Sequence, residues 1–132
     1  MTRRTALVVD DDDDVREITT FALKAIGGWD VLDADGGATA IRVARVHQPT
    51  FILLDVMMPQ MDGPATFRAL QADPRTSHIP VILLTAKVQA MQDWTHDDGL
   101  AGVLSKPFDP LGMVAEIDRL LEVEASKKRR SA

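Results

Sequence analysis

At 132 residues the chain has the length of one domain, able to bury roughly two thirds of its unfolded surface, and without cysteine it can hold neither a disulfide nor a thiolate-bound metal. Its 15 basic and 20 acidic side chains give a net charge of -5, and because Lys127, Lys128, Arg129 and Arg130 sit together near the end, the remaining body is more acidic still and repels nucleic acid. No apolar stretch reaches membrane-spanning length and the start carries no secretory leader pattern, so a cytoplasmic location is the expectation.

Strand-like and helix-like segments alternate five times. Ala6 to Val9 predicts the first strand, closing in Asp10-Asp11, and Val15, Ile18, Ala22 and Ala25 recur at helical spacing as the apolar side of a first helix stopped by Gly27-Gly28. A weak second strand follows at Trp29 to Leu32. Gly36-Gly37 leads into a second helix with Ala38, Ile41 and Ala44 inward, ended by His47-Gln48-Pro49. Phe51 to Leu54 predicts the third strand and closes in Asp55. Asp62-Gly63-Pro64 supplies a turn, a cap and a first-turn proline for a third helix that buries Phe67 and Leu70. Val81 to Leu84 predicts the fourth strand and closes in Thr85. A fourth helix around Val88, Met91 and Trp94 is diluted by polar residues, and Val103-Leu104 predicts a last strand closing in Ser105-Lys106. Val114, Ile117, Leu120 and Leu121 form the stripe of a fifth helix expected to end near Glu124, giving one domain over residues 1–124 and a short, disordered basic tail over 125–132.

Apolar runs of this length between helices read as strands of a parallel sheet covered on both faces. Their carboxyl ends open onto one edge, where open α/β sheets bind ligands, and the closing residues Asp10, Asp11, Asp55, Thr85 and Lys106 meet there.

The stretches LVVDDDDDVRE, ILLDVMMPQMDG, VILLTA and GLAGVLSKPF resemble, in order, the successive motifs of receiver domains of two-component response regulators, from about Ala6 to Val123. The resemblance implies a flavodoxin-like, doubly wound sheet of five parallel strands in the order 2-1-3-4-5 with five helices, an architecture for which a chemotaxis receiver is a worked case. Strands one and three are then neighbours, and Asp10, Asp11 and Asp55 face one another. Two unit charges about 4 Å apart repel by roughly 4 kcal/mol at an effective dielectric near 20, so three crowded carboxylates need a cation or must take up protons. Lys106 offers one charge, and Mg2+ suits an all-oxygen site better than a softer metal.

By resemblance, Asp55 is the phosphoryl acceptor, Asp11 and Asp55 bind Mg2+, Asp10 acts mainly through metal-bound water, and the Met57 backbone carbonyl completes the protein ligands. Thr85 and Lys106 then bind the phosphoryl group, which comes from a histidine kinase or a histidine phosphotransfer protein. The Lys106-Pro107 peptide bond is usually cis in the family. Val103 departs from the pattern, since receivers usually carry Tyr or Phe there, and a short β-branched side chain cannot sweep between exposed and buried positions. The expected output is contact with a downstream protein by a stand-alone receiver, without direct nucleic-acid or membrane binding.

Taken singly, each residue has a plainer reading. An Asp closing a strand is commonly a turn residue, Asp12, Asp13 and Asp14 suit a solvated loop and helix N-terminus, and His47, His78 and His96 suit solvent. Asp11-x-Asp13-x-Val15 also fits the nucleophile motif of haloacid-dehalogenase-like phosphatases, which place the nucleophile after strand one and need a cap domain that this length does not accommodate. Asp10-x-Asp12-x-Asp14 fails as a calcium loop, because Val15 and Phe21 stand where Gly and Glu are required. A pseudo-receiver that binds partners without phosphorylation is the remaining alternative. The intact set of acidic pair, acceptor, Thr85 and Lys106 favours the phosphorylatable receiver.

Overall fold

Burial along the strands dictates the layers. The computed structural model describes residues 4–86, 100–106 and 109–131. All residues of β3 (Phe51–Asp55) and β4 (Val81–Thr85) are buried, as are those of β1 (Thr5–Val9) after its first, so helices must cover both faces of the sheet. β2 (Asp30–Ala34) and β5 (Leu100–Ser105) are the edges of a five-stranded parallel sheet in the order β2-β1-β3-β4-β5. This is the expected flavodoxin-like order.

The two-residue period of the strands divides the core. Leu7, Val9, Ile52, Leu54, Val81 and Leu83 pack on one side with Ala40, Ile41 and Ala44 of α2 (Gly37–His47) and Phe67 and Leu70 of α3 (Gly63–Ala72). Ala6, Val8, Phe51, Leu53, Ile82 and Leu84 pack on the other with Ala22 and Leu23 of α1 (Asp13–Ala25) and Met113, Val114 and Ile117 of α4 (Pro110–Ser131). Four helices lie among the described residues; the one expected around Val88 to Trp94, His96 and the Lys106-Pro107 peptide bond lie outside them.

Several local expectations are corrected. The buried side of α1 is Thr19, Ala22 and Leu23, while Ile18 is 54% exposed and Ala25 lies outside the core. Thr19 can face the core because its hydroxyl donates to the Val15 carbonyl at 2.7 Å, which satisfies it within the helix. Ala38 is exposed, because the close fit of Gly37 against Thr66 and Met61 fixes the first turn of α2 and points the next residue outward. Trp29 precedes β2: its amide donates to the Leu23 carbonyl and closes α1, and its ring meets Phe51 edge-on with centroids 4.8 Å apart. β5 begins at Leu100, earlier than expected, with a register irregularity opposite Val81 and Ile82. Gly102 lets Leu120 of α4 come close, since a Cβ there would lie 2.6 Å from its Cδ1.

The segment expected to be a disordered tail is helical. α4 continues to Ser131, with Lys127 paired to Glu124 at 3.6 Å, Arg129 donating to Ser126 at 3.0 Å, and Lys128 Nζ donating to the His78 carbonyl at 3.1 Å. Lys128, Arg129 and Arg130 in its last turn complement the helix dipole.

The turn into α3 lies close against the backbone at the end of β3. Gly63 donates to the Val56 carbonyl at 2.9 Å, and a Cβ on Gly63 would lie 2.5 Å from the Asp55 carbonyl oxygen and 2.7 Å from Val56 Cα. Backbone atoms cannot rotate away as a side chain would. Gly63→Ala is therefore expected to destabilise the fold by about 1–3 kcal/mol in urea unfolding. Gly36→Ala, where added atoms meet open space, should cost under about 1 kcal/mol.

Candidate functional site

Chain order reverses between β1 and β3, which opens a crevice at their carboxyl ends. Asp10 follows Val9, whose register partner is Leu54, so Asp10 and Asp55 emerge side by side. Both are buried, at 2% and 4% exposure, whereas Asp11 faces solvent. One carboxylate oxygen from each of the three lies within 4.8 Å of the others. The cluster expected from the sequence is thus assembled.

Lys106 reaches it from the end of β5, two strands beyond β3. Its amide donates to the Thr85 carbonyl at 2.8 Å, which ties the end of β5 to the end of β4. Its ammonium lies 2.8 Å from Asp55 Oδ1 and 3.2 Å from Asp10 Oδ2. Thr85, 4% exposed, ends β4 with Ser105 as its register partner. Met57 lies in the loop after β3 and is 77% exposed. Val103 lies opposite Leu83 and is partly buried against the α2 and α3 side of the core.

Burial pushes the Asp55 carboxyl above its ordinary pKa; the Lys106 hydrogen bond works against this, and the charges of Asp10 and Asp11 work with it. For Lys106 burial alone disfavours the ammonium, but the bond to Asp55 and the attraction of Asp10 and Asp55 outweigh it and raise its pKa. One ammonium does not balance three carboxylates. The donor set is all oxygen, which fits a hard divalent cation.

The loop around the cluster is also built from aspartates. Asp12 donates its amide to Asp10 Oδ1 at 2.9 Å, and its own carboxylate caps α1 by accepting from the amides of Asp14 and Val15. Asp13 and Asp14 occupy the exposed first turn, as expected of a solvated helix start. His47 and His78 are exposed. Sequence reasoning missed Arg16, which donates to the Asp10 backbone carbonyl at 2.8 Å. The one legible signal was its i,i+3 spacing from Asp13, and that pair forms at 2.6 Å.

A sheet of this order with this acidic edge is that of receiver proteins, and the chain belongs to the response regulator receiver domain family, whose model matches residues 6–118. It is 38% identical over 117 residues to the DNA-binding dual master transcriptional regulator RpaA of Synechocystis sp., a match covering 87% of this chain and 48% of that protein. Its fold is similar to that of a response regulator from Chloroflexus aurantiacus, with a TM-score of 0.82 at 29% identity over 92% of this chain and 99% of that one. The chemotaxis protein CheY4 of Vibrio cholerae gives 0.81 at 26% identity over 90% and 99%. The chain spans about half the length, or less, of the curated relatives it matches. Receiver domains bind Mg2+ in an acidic pocket and interact with histidine kinases or phosphotransfer proteins. Among the described residues no helix is long and apolar enough to cross a membrane.

The raised pKa of Asp55 has a signed consequence. The folded state holds this proton more tightly than the unfolded chain, so ionised Asp55 costs stability once pH passes its ordinary value, about 3.9. In metal-free buffer Asp55→Asn should melt above wild type at pH 7, with the gain shrinking below about pH 4. Thermal melts at the two pH values measure this, and a lower melting point for the variant at pH 7 would contradict it.

Proposed function

We propose that this receiver takes a phosphoryl group onto Asp55 from a phosphohistidine of a histidine kinase or phosphotransfer protein, and that the modified site changes which protein surfaces it contacts. The observation that carries the reading is the direct bridge from Lys106 to the buried Asp55, beside Asp10 and Asp11. Asp11, Asp55 and the Met57 backbone carbonyl would hold Mg2+, with Asp10 acting through coordinated water. When bound, Mg2+ supplies positive charge against the carboxylates and the incoming phosphoryl oxygens.

Asp55 is already the nucleophile, so positioning and charge neutralisation dominate over proton chemistry. A carboxylate oxygen attacks phosphorus in line, a P–O bond forms as the P–N bond of the phosphohistidine breaks, and the imidazole leaves with the electron pair. Lys106 shifts its ammonium from the carboxylates toward the phosphoryl oxygens. The Thr85 hydroxyl donates to one of them and draws in the backbone after β4. Phosphorylation adds roughly 1.5 to 2 negative charges, enough to drive this capture. With Val103 in place of an aromatic ring, backbone movement from Thr85 onward carries the signal. The acidic body favours protein partners over phosphate backbones.

Incubation with acetyl phosphate and Mg2+, followed by peptide mapping by mass spectrometry, tests the reading. A labile, hydroxylamine-sensitive phosphoryl group on Asp55 is expected. A group on Asp11 would indicate phosphatase chemistry, and no group at all a binding module.

The roles within the site separate by mutation. Lys106→Ala should slow phosphorylation on the order of 100-fold, as loss of a charge-stabilising donor does elsewhere. Thr85→Ala should still form acyl phosphate but lose the conformational response, read as the phosphorylation-dependent change in amide exchange. Equal and complete loss of labelling in both would contradict this division.

A further inference from the structure

Arg16 stands one layer behind the carboxylates and is held more firmly than a helix-surface arginine requires. It extends from the first turns of α1 back beneath the loop that carries Asp10 and Asp11. Nη1 donates to the Asp10 carbonyl at 2.8 Å, Nη2 to Asp13 Oδ1 at 2.6 Å, and Nε lies 3.6 Å from Oδ2 of Asp33 in β2. The Arg16 side chain is 18% exposed, while those of Asp13 and Asp33 are 85% and 58% exposed. Exposed ion pairs contribute little, so the sheltered bond to the Asp10 carbonyl is the consequential one. The planar guanidinium joins the three points at once, which a lysine ammonium cannot reproduce.

We propose that Arg16 is a positioning residue: by fixing the Asp10 backbone it orients the Asp10-Asp11 carboxylates and so sets the divalent-cation affinity of the crevice, touching neither cation nor phosphoryl group. The proposal rests on the metal reading given above. Charge alone argues the other way, because a fixed cation near the carboxylates repels Mg2+. Its presence there is explained by what it holds. The chain from Arg16 to the Asp10 carbonyl, and from the Asp10 carboxylate to the Asp12 amide, links the first turns of α1 to the acidic pair. Groups that orient metal ligands from behind typically account for about 10–100-fold in affinity.

Mg2+ titration calorimetry on the full chain, with Arg16→Lys and Arg16→Gln beside wild type, separates geometry from charge. Positioning predicts Mg2+ binding about 10-fold weaker in both variants. Arg45→Ala serves as control, since it removes a comparable ion pair, to Asp73 at 2.8 Å, away from the crevice, and should keep wild-type affinity. Tighter binding in Arg16→Gln with unchanged binding in Arg16→Lys would mean a charge effect and overturn the proposal. Unchanged binding in both, with lowered melting points, would mean a structural role alone and overturn it too.

A second arm needs no metal. In Mg2+-free buffer, amide exchange by NMR at Asp12 should be about 10-fold faster in both Arg16 variants and unchanged in Arg45→Ala. Wild-type protein that fails to bind Mg2+ would defeat the metal reading, and with it the affinity claim, while the exchange arm would still report whether Arg16 holds the loop. Unchanged Asp12 exchange overturns the proposal whatever the metal does.

Discussion

The ammonium of Lys106 lies between Asp55 and Asp10, and four strands must be in register for it to arrive there. β1 and β3 bring the carboxylates together, β4 separates them from β5, and the bond from the Lys106 amide to the Thr85 carbonyl fixes the height at which the lysine leaves the sheet. A slip of one residue in a strand would exchange its two faces and carry the closing residue away from the group. The apolar core and the polar edge are therefore one constraint. The alternation that fills both sides of the sheet also determines where the charges emerge.

The same arrangement leaves the fold with a local conflict. Two buried carboxylates share one ammonium beside an exposed third, and burial holds the Asp55 proton more tightly than water would. A protein selected for stability alone would replace part of this cluster with neutral residues of similar size. Unbalanced negative charge is instead what an acidic pocket needs in order to attract a divalent cation. Strain from that imbalance is confined by an otherwise continuous core, with Val9 and Leu54 packed directly below the charges.

The strand ends were legible in the sequence because apolar runs stop abruptly at Asp10, Asp55, Thr85 and Lys106, and period two leaves little freedom in which residues point inward. The sides of the helices were less so. Thr19 is polar by type but satisfied by its own helix, and Ala38 is small enough to suit either environment, so hydrophobic spacing misjudged α1 and α2. Arg16 was hidden for a different reason: its main partner is a backbone carbonyl, which every residue possesses and no composition reveals. The charge run at Lys127 to Arg130 suggested disorder, whereas partners along α4 and at the His78 carbonyl support a helix.

That last helix has a mechanical property. Its 22 residues make a rod about 33 Å long. One end starts shortly after Lys106, and the other rests on the loop before β4, at the opposite edge of the sheet. A pivot of about 5° at the first turn would displace the far end by about 3 Å, roughly the length of one hydrogen bond. Geometrically, then, a tilt of the first turn that is small on the scale of the core is large on the scale of the Lys128 contact with the His78 carbonyl.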